Sequence, residues 1–233
     1  MLNRVAFEHR QREIAKSLAC LLCLVTPLLT ACTSPPVQAI VDKYNFYRQG
    51  SDAALASQRL DPAYKYLRLN VNGRGLLLVR GRIDAASNGG VENWYSGGYE
   101  IVKLQNGRLV GAVGTPVEWR DVSLSSQPDW TQITGATTFT RRRDVMPGYR
   151  FGLVDQLSVR PISEPSSTDF VGPLPAGLHL FVETSTGHSP LPPARYAVAF
   201  GDGPNKSAEV IYGEQCLSAK LCFSWQRWPT NKT

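Results

Sequence analysis

Histidine and cysteine are scarce in this chain, which has three histidines and five cysteines among 233 residues. His179 and His188 have no Cys, Asp or second His at the spacing of metal ligands, so the sequence predicts no metal site. The segment around Ser189 is no nucleophile elbow either, because Leu191 stands where that motif needs its second glycine. We therefore predict no cofactor and no metal.

Long apolar runs are also missing. The run from Leu18 to Leu29 is broken by Pro27 and is too short for a stable transmembrane span. Basic residues precede it, and a basic leader before a short apolar core is typical of an export signal. The run closes on Leu29-Thr30-Ala31-Cys32, which has the Leu-x-Ala-Cys ending of a bacterial lipoprotein signal. An ordinary secretory peptide or a buried helix is the alternative.

A lipoprotein signal has consequences for localisation. It predicts that residues 1–31 are removed and that Cys32 carries the lipid. Such lipoproteins bear a diacylglycerol and an amide-linked acyl chain such as palmitate, and each buried methylene contributes roughly 0.8 kcal/mol. Thr33 follows the lipidated cysteine, whereas an aspartate there would favour the inner membrane. We expect a protein anchored to the outer membrane on its periplasmic face.

Few cysteines remain once the leader is removed. Cys20 and Cys23 leave with it, Cys32 is lipidated, and Cys216 and Cys222 are left. An oxidising periplasm favours a disulfide between these two, which would contribute roughly 2 kcal/mol for so short a loop. The alternative of a metal or redox pair needs further ligands or a Cys-x-x-Cys spacing, and this pair has neither.

Charge is moderate. The chain has a net charge of +6, and the leader removes more basic than acidic residues. The remaining excess is mild and dispersed along the chain, which is compatible with an acidic polysaccharide or anionic lipid headgroups. It does not indicate nucleic acid as a partner.

Helical periodicity is confined to the N-terminal part of the mature chain. Val37, Ile40, Val41, Tyr44 and Tyr47 recur at helical spacing, and a second short helix is predicted over residues 53–60. From Tyr64 the period changes to two. The predicted layout is a signal peptide over residues 1–31, a lipid anchor with a helical segment over 32–62, and a β domain over 63–233.

The β domain is predicted to hold about ten short strands. Asn-Gly and Gly-Gly turns separate the first of them, which favours antiparallel pairing because parallel strands need long crossovers. The candidate strands are 67–71, 76–79, 91–96, 99–104, 108–113, 137–145, 149–154 extended by 156–160, 178–183, 195–200, 208–212 and 221–225, with a surface loop over 161–177. Residues 117–124 form either a further strand or an extended bend. The fold class is mainly β: a large antiparallel meander bent into a partly closed barrel.

Five segments of the mature chain follow one another in a set order. They are Trp94-Tyr95-Ser96, then Leu104-Gln105-Asn106-Gly107-Arg108-Leu109-Val110-Gly111, Gly114-x-Pro116, Trp119-Arg120 and Arg143-Asp144-Val145-Met146-Pro147-Gly148-Tyr149. In this order they resemble the YjbF/GfcB family of group 4 capsule and exopolysaccharide lipoproteins. The resemblance spans nearly all of the mature chain. It implies a β-meander fold, a role beside secreted polysaccharide, and as partners a periplasmic protein and an outer-membrane barrel protein of the same pathway. It implies no catalytic residues.

Aromatic and basic side chains are concentrated in one third of the chain. The candidate glycan- or partner-binding residues are Trp94, Tyr95, Tyr99, Arg108, Trp119 and Arg120. Flat aromatic faces beside guanidinium groups suit sugar rings that carry acid groups. The alternative is that the large rings fill the core of a bent sheet. For Arg141-Arg142-Arg143, at most two side chains share a strand face, and a solvated face is expected.

The sequence favours a binding function over catalysis. Glu100, Glu118, Asp121 and Asp144 could serve a glycan-cleaving enzyme, but no spacing singles out a catalytic pair. We expect a non-enzymatic outer-membrane lipoprotein that serves assembly or export of a capsule-like exopolysaccharide and binds glycan or an outer-membrane partner. The alternative is a periplasmic enzyme that modifies or trims that polymer.

Overall fold

The computed structural model describes residues 55, 59–86, 89–163, 170–172, 175–187, 189–201 and 207–228. The predicted signal peptide, Cys32 and the helix over residues 37–47 lie outside these ranges. Leu55 is helical, in agreement with the second predicted helix at that residue, but Arg59 and Leu60, the last two residues of the predicted range, are not. No helix among the described residues is long and apolar enough to cross a membrane.

Twelve antiparallel strands make up the described β domain. They are β1 (Tyr66–Val71), β2 (Arg74–Asp84), β3 (Val91–Ser96), β4 (Ile101–Gln105), β5 (Arg108–Val113), β6 (Glu118–Ser125), β7 (Thr137–Met146), β8 (Arg150–Ile162), β9 (His179–Gly187), β10 (Ala194–Phe200), β11 (Ala208–Ser218) and β12 (Leu221–Trp228). A 3-10 turn, Trp130–Gln132, lies between β6 and β7.

Each strand pairs with its neighbours along the chain, so the predicted antiparallel meander is confirmed. The last strand also pairs with the first, from Tyr66 opposite Trp228 to Val71 opposite Phe223. The sheet therefore forms a closed ring, a step further than the partial closure expected. Closure leaves no unpaired edge, which otherwise is a site of aggregation.

Turn chemistry explains why the first hairpins were visible in the sequence. Asn72 and Gly73 have φ values of 52° and 80°, and Asn106 and Gly107 have 47° and 75°. Asn and Gly enter this left-handed region most readily, and a tight hairpin needs it at both central residues. Strands β3 and β5 accordingly begin and end at the predicted residues.

Ten of the twelve strands differ from their predicted bounds. The largest differences are in β2 and β11, which were predicted as 76–79 and 208–212 and are longer because their residues continue to pair with β3 and with β12. Strand β4 begins at Ile101 and not at Tyr99, because Tyr99 has a φ of 70° and belongs to the turn after Gly98. The predicted strand 149–154, extended by 156–160, forms β8, which includes Asp155 and continues for two residues into the predicted surface loop 161–177. Asp155 is buried between the exposed Val154 and Gln156, so the alternation of the strand continues through it.

The interior of the ring is filled by side chains. Partners in register share a face, and Leu67, Leu78 and Trp225 on three adjacent strands are each no more than 1% exposed. Hydrogen bonds also cross from one wall to the opposite wall, for example from Trp119 Nε1 on β6 to the Leu217 carbonyl on β11 at 3.1 Å. The interior of the ring is therefore a packed core.

The predicted disulfide is present. Cys216 and Cys222 lie opposite each other in the β11–β12 hairpin and are bonded. We expect the double substitution Cys216→Ser/Cys222→Ser to lower the free energy of unfolding by about 2 kcal/mol, because only a short loop is released. Urea denaturation of both forms measures this, and a loss of about 5 kcal/mol or more would contradict it.

Candidate functional site

The structure does not bring the six predicted binding residues onto one surface. Trp94, Arg108 and Trp119 are inside the ring, each at most 1% exposed. Tyr95 and Tyr99 are 44% and 80% exposed, and the Arg120 side chain is 55% exposed beside Glu118.

Strand alternation is the reason for this separation. Successive side chains of a strand point to opposite faces, so Trp94 and Tyr95 in β3 cannot share a face, and neither can Trp119 and Arg120 in β6. The aromatic–arginine surface expected from these six residues is therefore not formed. A binding role for the exposed three stays a prediction.

Arg108 lies in an aromatic cage inside the ring. Its Nε donates to Glu183 Oε2 at 2.8 Å, across the ring from β5 to β9. Its guanidinium carbon is 3.8 Å from the centroid of Trp130 and 5.0 Å from that of Phe139. Neither Nη atom has a hydrogen-bond partner among the described residues, so the ring faces supply the electrostatic compensation.

A second buried ion cluster is centred on Asp155. Arg143 Nε donates to Asp155 Oδ2 at 2.7 Å, and Arg141 Nη2 lies 2.9 Å from the same oxygen. Both arginines are at most 2% exposed, whereas Arg142 between them is exposed. The alternation expected for Arg141-Arg142-Arg143 is present, but the shared face is the interior and not a solvated face. These two arginines support the fold.

The buried Tyr196 should make the stability of the protein depend on pH. Burial raises the pKa of its phenol well above the ordinary value, and the negative charge of Glu183 raises it further. Because the folded state keeps the proton above pH ~10 while the unfolded state loses it, this group should lower stability there by ~1.4 kcal/mol per pH unit. We expect Tyr196→Phe to remove that slope in urea denaturation at alkaline pH. The exposed Tyr149→Phe is the control, and equal slopes in both variants would contradict this assignment.

A cavity opens at the end of the ring where β1 begins and β12 ends. Its volume is about 590 Å³, within the usual ~300–1,000 Å³ of small-molecule sites. We call it the end pocket. Among its lining residues are Tyr64, Lys65, Arg80, Trp94, Arg227 and Trp228. Trp94 is the one predicted binding residue that lines it.

The floor of the end pocket is held by Glu92. Arg227 donates to both Glu92 oxygens, Nη1 to Oε1 at 3.2 Å and Nη2 to Oε2 at 2.9 Å. Trp94 Nε1 donates to Oε2 at 3.3 Å, and the Arg227 guanidinium lies 5.2 Å from the Trp94 ring centroid. A bidentate arginine–carboxylate pair is a rigid arrangement, so this floor is preorganised.

Other polar groups of the end pocket make fewer hydrogen bonds and ion pairs. The Arg80 guanidinium makes one hydrogen bond to a described residue, from Nη1 to Glu92 Oε1 at 3.4 Å. Lys65 forms no ion pair within the described ranges. Glu209 also lines the pocket, with its side chain 62% exposed and 3.5 Å from Arg227 Nε. Donors and acceptors are thus both available to a ligand.

Comparison with known proteins supports the fold. The crystal structure of the hypothetical lipoprotein YmcC from Escherichia coli (K12) is similar to this chain, with a TM-score of 0.56 and 16% sequence identity. The match covers 87% of this chain and 100% of that one. No protein-family model and no curated protein matches the sequence. The likeness therefore shows a shared fold.

A smaller cleft lies at the opposite end of the ring, near the β11–β12 turn. It has a volume of about 300 Å³ and is lined in part by Arg143, Arg150, Ser189 and Lys220. Arg143 is already committed to Asp155 and to the Ser189 carbonyl. The cleft is more basic than the end pocket but has no aromatic lining residue within the described ranges.

The predicted acidic candidates hold hairpins in place. Glu118 Oε1 accepts from the Gly114 amide at 2.7 Å, and Asp144 Oδ1 accepts from the Gly152 amide at 2.7 Å. Asp121 and Asp144 lie opposite each other in the β6–β7 ladder, and Glu100 is buried.

The histidines are not brought into a metal site. His179 stacks on Phe200 at 4.0 Å between ring centroids, and His188 lies outside the described residues. No group of three or more His, Cys, Asp or Glu residues within the described ranges could hold a metal ion.

Sequence reasoning missed most of the end pocket. Tyr64, Arg80, Arg227 and Trp228 come from the segment before β1 and from strands β2 and β12, far apart in sequence. They become neighbours only because β12 pairs with β1. The feature of the sequence that pointed to this region was the pair of tryptophans, Trp225 and Trp228, now seen in β12. The pair did not indicate which strand lies beside it.

Proposed function

We propose that this protein is a lipid-anchored, non-enzymatic component of the cell envelope, on the periplasmic face of the outer membrane, which serves assembly or export of a capsule-like exopolysaccharide. In this role it binds glycan or an outer-membrane barrel protein, and it acts with periplasmic proteins of the same pathway. The observation that carries the binding role is the end pocket, where aromatic rings and guanidinium groups line one cavity.

The anchor is supported by two independent features. The first is the Leu-x-Ala-Cys motif that ends at Cys32. The second is the fold, which this chain shares with a protein described as a hypothetical lipoprotein. A tethered domain needs no apolar outer belt, because the acyl chains supply the membrane affinity.

The filled interior supports a binding role over conduction. Trp94, Trp119 and Trp225 inside the ring are each at most 1% exposed, and opposing walls contact each other directly. A polymer would meet this protein at an end of the ring or on its outer face. The protein would thus assist an export channel formed by a partner.

The proposed function has a direct cellular test. Metabolic labelling with a tagged palmitate, with and without globomycin, should show acylation of the wild type and none of Cys32→Ala. Fractionation should place the wild type in the outer membrane. Deletion of the gene should reduce surface polysaccharide, and the Cys32→Ala form should restore it poorly. An unmodified Cys32 together with unchanged polysaccharide in the deletion strain would refute the proposal.

The enzymatic alternative rests on the facing pair Asp121 and Asp144. Two carboxylates beside one bond are what glycoside hydrolysis requires. Incubation of the purified domain with extracted polymer, followed by measurement of chain length and reducing ends, separates the two functions. Depolymerisation that is lost in Glu118→Gln or Asp144→Asn would establish the enzyme and overturn the binding function.

A further inference from the structure

We infer that the end pocket binds a neutral, hydroxyl-rich segment of saccharide, and that it does not require an acidic group on the sugar. This inference rests on the proposed function, in which the protein handles a glycan. It identifies the chemistry of the recognised unit and the residues that recognise it.

The charges of the end pocket balance. Lys65, Arg80 and Arg227 contribute positive charge to the lining, while Asp61 and Glu209 contribute negative charge. Glu92 lies directly behind the two arginines and binds both. The three cations are therefore offset by three carboxylates, and an anionic ligand would gain little net attraction.

Hydroxyl groups suit this lining better than an acid group does. A sugar hydroxyl both donates and accepts, so it can accept from Arg80 or Lys65 and donate to Glu209. The ion pairs hold the arginine and carboxylate side chains in place. Their polar atoms that are not used in the ion pairs therefore stand at fixed positions. Such preorganised polar groups give specificity at low entropic cost.

Aromatic rings supply the second part of the site. Tyr64 and Trp228 line the end pocket with rings that solvent can reach, whereas Tyr66 and Trp94, which also line it, are buried and support its wall. Tyr64 is 55% exposed, so its ring is accessible to a ligand before binding. Tyr66 accepts from the Asp61 amide and donates to the Asp61 carbonyl, at 3.1 Å and 3.2 Å, which fixes the segment that carries Tyr64. The apolar face of a neutral sugar ring packs on such aromatic surfaces.

The probe is the polymer extracted from the strain that produces the protein, cut into short fragments. One half is carboxyl-reduced, which converts acidic sugars into neutral ones and leaves the linkages unchanged. Calorimetric titration of the purified mature domain should give equal affinity, within about threefold, for reduced and untreated fragments. Binding should change little between low and high salt, because no net charge is neutralised.

Variants with matched controls identify the site. Tyr64→Ala should weaken binding of reduced fragments about tenfold, whereas Tyr149→Ala, at an exposed tyrosine that does not line the end pocket, should have no effect. Arg80→Gln should weaken binding about tenfold, and Arg82→Gln on the same strand, with its side chain 84% exposed beside Asp84, should not. Circular dichroism confirms that each variant is folded.

The outcomes separate this inference from the proposed function. Binding of untreated but not of carboxyl-reduced fragments, or equal effects of Tyr64→Ala and Tyr149→Ala, would overturn the inference. So would the absence of any fragment binding, even if gene deletion reduced surface polysaccharide, and the proposed function would then stand. Conversely, fragment binding at the end pocket with an unmodified Cys32 and normal polysaccharide in the deletion strain would support the inference and refute the proposed function.

Discussion

Replacement of Asp155 with alanine is expected to lower the free energy of unfolding by about 3–5 kcal/mol, because the substitution leaves two buried arginines without their counter-ion. Asp155 is fully buried and accepts hydrogen bonds from both Arg141 and Arg143. An uncompensated charge inside the ring cannot be solvated without opening the structure. Urea denaturation followed by tryptophan fluorescence measures the loss.

A half-exposed ion pair provides the control for Asp155. Glu214 is bonded to Arg195 at 3.0 Å, with side-chain exposures of 18% and 36%. Arg195→Ala should cost about 1 kcal/mol or less, since water can replace the lost partner and Glu214 keeps its hydrogen bond from Tyr212. Asp155→Asn, which keeps an acceptor oxygen, should fall between the two and remains measurable if the alanine variant does not fold. Equal losses for Asp155→Ala and Arg195→Ala would show that the cluster is not a stabilising element.

The second large effect concerns the caged pair Arg108 and Glu183. Glu183→Leu should lower the free energy of unfolding by about 3–5 kcal/mol, because Arg108 then has no counter-ion in the interior. The double variant Arg108→Met/Glu183→Leu should recover at least about 2 kcal/mol of that loss, since an apolar pair needs no compensation. A methionine side chain can pack on Trp130 in place of the guanidinium.

The comparison of single and double variants decides what the pair contributes. If the losses of Arg108→Met and Glu183→Leu simply add, the two side chains do not interact energetically. A double variant as stable as the wild type would show that the ion pair is retained for a reason other than stability. Denaturation curves of the four proteins, measured in the same buffer, provide the complete cycle.

Local features of the fold could be predicted from the sequence because they depend on neighbouring residues. The Asn72-Gly73 and Asn106-Gly107 turns and the period-two pattern between them place the early strands almost at their observed bounds. The disulfide was predicted from the oxidising compartment expected for a lipoprotein and from the spacing of Cys216 and Cys222, which does not match a Cys-x-x-Cys motif. These signals are short in range, and the structure does not override them.

Ring closure and the filling of the ring could not be predicted in the same way. Spacing shows that Arg141 and Arg143 share a face, but whether that face meets water depends on a carboxylate from β8 and a tryptophan from β6. Trp94 and Tyr95 are both large aromatic residues, but Trp94 is buried and Tyr95 is exposed, because successive side chains point to opposite faces of the strand. Non-local pairing decides which of two adjacent aromatics is core.

The end pocket illustrates the same limit for the site. Its lining combines the segment before β1 with residues of β2, β3, β10, β11 and β12, and the link before β9. No single stretch of the sequence contains all of these lining residues. The cluster predicted from residues 94–120 was instead divided by strand alternation between core and exterior.

Pairing of the first strand with the last has a consequence for biogenesis. Strand β1 is synthesised early, yet its partner β12 is made up of residues 221–228. Until those residues are available, β1 and β11 each present unpaired backbone groups, and contacts between distant segments form slowly. A truncated chain without β12 would keep two open edges, so chaperones and proteases should recognise it as incompletely folded.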